Sequence, residues 1–117
     1  MTAAALASEN KVLAHPASVD SITTSGNKED YVSMGMAAAI KLEKVVANTT
    51  HVLAIEAAAA AQALDFLAPL KTSPRGQKAY TAIRSVCKFL EQDRSLSEDF
   101  TRLADLVRSQ KLAQVLE

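Results

Sequence analysis

The stretch HPASVDSITTSGNKEDYVSMG, residues 15–35, gathers His15, Ser18, Ser21, Lys28, Glu29 and Asp30, side chains with chemical options. Within it, Asn27-Lys28-Glu29-Asp30 sets two carboxylates beside an amide and an amine. A carboxylate pairs with a cationic ligand, and a desolvated one takes up a proton more readily, which suits a proton acceptor. The plainer role for Glu29 is to satisfy a helix N-terminus, where the macrodipole favours negative charge. His15 precedes Pro16 and has no second His, Cys or carboxylate at a metal-ligand spacing, so it reads as a structural hydrogen-bonding residue and no metal is expected. Ser18 and Ser21 lack a partnered base, which argues against a nucleophile. Thr24-Ser25-Gly26 reads as a flexible loop whose glycine permits positive φ. Cys87, with Arg84 and Lys88 near it, reads as a half-buried structural thiol, and Met34 and Met36 as packing residues.

These residues must be positioned by helices. The chain has 117 residues, 49% of them apolar, which is one modest domain's worth and too hydrophobic for disorder. Thirteen basic and thirteen acidic side chains cancel, so no global field draws it to nucleic acid or to anionic lipid. One cysteine excludes an internal disulfide, and the N-terminal residues do not form an export signal, so a reducing cytoplasmic setting is expected.

TAAALASENKVL, residues 2–13, predicts a short helix that stops before His15-Pro16, because proline pushes its predecessor out of the α region. Residues 14–28 lack any period and predict a loop, long enough to suggest a functional one. Asn27 is then expected to cap a long helix over 29–67, with Glu29 and Asp30 in its first turn. Its second half, VLAIEAAAAAQAL, has only Glu56 and Gln62 as polar groups and predicts burial all round, yet it is too short and interrupted for a membrane span. Pro69 and Pro74 bracket a turn, and shorter helices are expected over 75–91 and 97–108. The fold class is therefore all-α: a long central helix plus shorter helices in one segment, 1–117, that forms part of an oligomeric helical bundle. Alanine-rich helices bury little area each, which suits a bundle and suits a lone monomer poorly.

The run SENKVLAHPASVDSI followed by NKEDYVSMG, with VLAIEAAAAAQALDF after it, resembles the histidine branch of the aromatic amino acid ammonia-lyase family. The resemblance covers essentially the whole chain and implies the C-terminal portion of a longer enzyme. That family removes ammonia from histidine without water or oxidation, leaving urocanate. It uses a methylidene-imidazolone electrophile made from an internal Ala-Ser-Gly. The closest tripeptide here is Thr24-Ser25-Gly26, so no cofactor is expected in this chain and none of its residues is expected to hold one.

The resemblance implies that Glu29 is the family's active-site glutamate, acting on the substrate imidazole or as a proton acceptor, with Lys28 and Asn27 as substrate-binding neighbours. Phenylalanine lyases carry an amide at the Glu29 position, which favours the histidine branch. Where the family usually reads N-Q-E-D-H, this chain has Lys28 for Gln and Tyr31 for His, and Thr23 stands where proline is common. Lys28 places a positive charge next to the carboxylate and opposes its use as a base if the two face each other. Two functions follow: a piece that completes a composite lyase site together with an N-terminal lyase portion and is inactive alone, or a non-catalytic helical oligomerisation remnant. Both predict self-association and neither involves nucleic acid or membrane.

Overall fold

The computed structural model describes residues 1–116. Those residues form an all-α structure in the order α1 (Thr2–Leu13), α2 (Gly35–Phe66), α3 (Pro74–Arg84), α4 (Ser97–Arg108) and α5 (Lys111–Gln114). No helix among them is long and apolar enough to cross a membrane. The chain divides into two compact units, Met1–Thr49 and a second that starts at Thr50, so α2 contributes residues to both.

In the first unit, α1 buries no residue and is tied to α2 by polar groups. The Asn48 amide donates to Glu9 Oε2 at 2.8 Å and to Asn10 Oδ1 at 3.0 Å, and the Asn10 amide donates to Thr49 Oγ1 at 3.3 Å. Lys41 Nζ donates to the His15 carbonyl, which ties the start of the polar loop after α1 to α2.

The second unit holds the core. Ala54 and Ala61, two turns apart on one face of α2, pack with Ile83, Cys87, Leu103 and Ala104, and Tyr80, Val86 and Leu112 lie against that cluster. Alanine at both α2 positions lets the backbones approach closely, so the small side chains serve packing rather than bulk.

Two helix bounds differ from expectation. The long helix begins at Gly35 rather than at residue 29, and no acid lies in its first turn. The reason is local: Ser25, Gly26 and Asn27 all adopt positive φ, at 54°, 65° and 66°, which turns the chain back on itself instead of into a helix. Asn27 is therefore a turn residue and not a cap. Ser33 Oγ accepts from the Gly35 N–H at 3.3 Å, beside the true start.

The third helix starts at Pro74, with Ser73 Oγ accepting from the Gly76 N–H at 3.1 Å, and ends at Arg84 rather than running to residue 91. Its expected continuation is drawn out of the helix by side chains from elsewhere. Gln62 on α2 grips Leu90 at two points, its Oε1 accepting the Leu90 N–H at 3.0 Å and its Nε2 donating to the Leu90 carbonyl at 3.1 Å. Arg84 donates to the Cys87 carbonyl at 3.0 Å and Arg102 to the Val86 carbonyl at 3.1 Å. Backbone groups that a helix would have paired are thereby satisfied without one.

Candidate functional site

Glu29 stands in a short antiparallel bridge with Thr24 that closes a tight turn. The Thr24 N–H donates to the Glu29 carbonyl at 2.8 Å and the Glu29 N–H returns a bond to the Thr24 carbonyl at 3.4 Å. Asparagine tolerates the left-handed region better than most residues, and glycine adopts it freely, so Gly26-Asn27 suits this reversal. A second tie lies further out: Ser21 Oγ accepts the Val32 N–H at 2.7 Å. The turn is thus pinned twice across its neck.

The side chains of Asn27 and Lys28 are exposed in the turn, and that of Glu29 is exposed at the bridge that closes it. Among the described residues no ion pair joins Lys28 to Glu29, so the positive charge beside the carboxylate in sequence is not paired with it in space. Large apolar side chains flank the same loop and stand open: Val19 is 76%, Ile22 59% and Tyr31 80% exposed. Any site at this turn would need further walls to exclude water.

Thr24-Ser25-Gly26 departs from the family's Ala-Ser-Gly at its first residue, and Ser25 and Gly26 lie exposed in the turn. His15 is exposed at the end of α1 and engages Lys41 through its carbonyl. Ser21 acts through its hydroxyl oxygen as a loop staple, a role that nothing in its neighbours announces. Among the described residues no group of three or more His, Cys, Asp or Glu could hold a metal ion.

The second unit has its own polar network, absent from the sequence reading. The Tyr80 hydroxyl and Arg84 both donate to Asp65, and Arg84 also reaches Gln62 Oε1 at 3.3 Å. The bond from Tyr80 holds the Asp65 carboxyl below its usual value, burial opposes this, and the Arg84 guanidinium adds to it. The same bond raises Tyr80 above the ordinary phenol value. A cavity of about 330 Å³ opens beside this network, with Lys71, Thr72 and Gln77 on its wall. Tyr80 and Arg84 stand one helical turn apart, a spacing that places both on the face turned to Asp65.

A family model described as aromatic amino acid lyase matches residues 1–85. The chain belongs to the aromatic amino acid lyase family. Among its relatives is the histidine ammonia-lyase of Koribacter versatilis, 65% identical over 113 residues that cover 97% of this chain and 22% of that protein. A crystal structure of histidine ammonia-lyase from Trypanosoma cruzi superposes with a TM-score of 0.93 at 45% identity, covering 98% of this chain and 23% of that one. A tyrosine aminomutase from Streptomyces globisporus superposes almost as well, with a TM-score of 0.92 at 33% identity, covering 98% and 22%. The chain therefore spans less than a quarter of the length of the relatives it matches. Because an aminomutase shares the same backbone, the fold alone does not select the reaction, and selection must rest on side chains.

Proposed function

We propose that this segment supplies Glu29, on its doubly pinned turn, to a histidine ammonia-lyase active site completed by further protein, with Lys28 and Asn27 beside the substrate. The observation that carries the reading is the presentation of Glu29: its backbone is held at Thr24 and its carboxylate is exposed, without an ion-pair partner among the described residues. A carboxylate so held is available to accept an N–H from an imidazole ring or to take a proton, once the site's remaining walls exclude water.

The electrophile of the family would come from an Ala-Ser-Gly outside this segment, so the chain by itself is expected to release no ammonia from histidine. Uncovered Val19, Ile22 and Tyr31 support a site built at a junction with a second copy or with an N-terminal lyase portion. Self-association in the cytoplasm belongs to this reading. The alternative, a non-catalytic oligomerising remnant, draws on the same apolar exposure but leaves the fixed presentation of Glu29 without a purpose.

The test is a graft. The segment replaces its counterpart in the Koribacter versatilis enzyme, and urocanate formation is followed by ultraviolet absorbance. The graft is expected to turn over histidine, and Glu29→Gln to lower kcat by about 10²–10⁴-fold. A folded Glu29→Gln graft that keeps its kcat would remove Glu29 from the chemistry.

A further inference from the structure

The second unit carries a concentration of cations that the lyase reading does not use. A cavity of about 410 Å³ is lined by Arg84, Lys88, Arg94 and Arg102, with Asp99 as the acid on its wall. That volume falls within the ~300–1,000 Å³ usual for small-molecule sites.

The arrangement is built rather than incidental. Asp99 is 2% exposed and fully committed: Arg94 Nη1 donates to its Oδ2, and Arg102 Nη2 to its Oδ1 at 2.6 Å. Burial pushes the Asp99 carboxyl up, but the two guanidiniums outweigh it and hold the group below its usual value, so the acid stays ionised at neutral pH. Its charge is spread over two cations, and its role is to fix them. Arg102 is further anchored to the Val86 carbonyl and Arg84 to that of Cys87, so the turn after α3 orients both.

Donors are left over. Arg84 is balanced by Asp65 and Arg102 is shared with Glu98 at 3.5 Å, while Lys88 has no ion-pair partner among the described residues and Arg94 uses only Nη1. The four cations exceed their paired acids, Asp65, Asp99 and Glu98, by one charge, and that surplus ammonium beside pre-fixed guanidinium N–H groups suits the oxygens of a phosphate group.

We propose that this cavity binds a phosphate group, either free or as the end of a small phosphate ester. The proposal is independent of the lyase reading, because it uses none of the residues of the Glu29 turn. Calorimetric titration of the intact protein at ionic strength held constant with sodium chloride tests it, with inorganic phosphate and phenyl phosphate as the two probes. Saturable binding is expected, weakened about tenfold by Lys88→Gln and abolished by Lys88→Glu, with Lys78→Glu on the exposed side of α3 as the charge control. Equal affinity for the two probes identifies the free anion as sufficient, and tighter binding of the ester identifies the ester. Absence of saturable heat with both probes, or equal losses from Lys78→Glu and Lys88→Glu in variants with unchanged circular dichroism, would overturn the proposal.

Discussion

At the scale of single residues, the Glu29 turn depends on groups that do no chemistry themselves. Ser21 contributes one hydrogen bond to the Val32 N–H. Ser21→Ala removes that acceptor, at about 0.5–1.5 kcal/mol, and is expected to speed amide exchange at Val32 by about three- to tenfold while leaving the α4 amides unchanged. Equal acceleration in both places would mean global destabilisation and not a loosened neck. Lys28 is the residue on which substrate choice is most open to change. In the graft, Lys28→Gln removes a cation adjacent in sequence to the proposed active-site carboxylate and is expected to raise kcat/KM for histidine; a fall would assign Lys28 a direct hold on substrate. The motif singles out Glu29 as a candidate, whereas the bridge that joins its backbone to Thr24 has no signal in the sequence. Ser-Gly-Asn before two acids has the composition of a helix cap, and only the three successive left-handed residues show that the chain reverses there instead.

At the scale of elements, side chains on one helix decide where another ends. Gln62 sits in a run of alanines, where a lone amide looks like a tolerated polar residue, yet it replaces two backbone partners for Leu90. Gln62→Leu is expected to destabilise the fold by about 1–3 kcal/mol, read as a lower urea midpoint, and Gln62→Glu by less because one acceptor survives. This contact joins residues 62 and 90 and has no local signal, which is why the helix was expected to continue to 91. The all-α class itself was legible, since alanine-rich periodic segments leave no alternation for a strand. The ionic ties add a pH dependence. Asp65 and Asp99 are both held below the ordinary carboxylate value of 3.8 in the folded state. Their stabilisation is fully present above that value and is lost as pH falls through the lower folded values. The thermal midpoint should therefore drop on acidification below about pH 4, and the drop should be shallower in Asp99→Asn.

At the scale of the whole molecule, the two units differ in what holds them. Among the described residues the six buried apolar ones lie at Ala54 or beyond, while the first unit relies on amide and ammonium bonds near α1. Amides of α1 are expected to exchange faster than those of α4, because local opening there exposes little that was buried. Light scattering of the chain alone is expected to report dimers or larger species, given Met36 at 76%, Leu42 at 61% and Leu53 at 45% exposure along α2; a stable monomer would contradict the proposed self-association. The buried thiol of Cys87 offers a clock for the second unit. It is 4% exposed, and burial, with a smaller push from Asp99, raises it above its ordinary value, so it resists alkylation while the core is closed. When the core closes faster than the reagent reacts, the rate at which iodoacetamide marks this chain tracks the population in which the packing between α2, α3 and α4 is open, and so reads core integrity without any engineered probe.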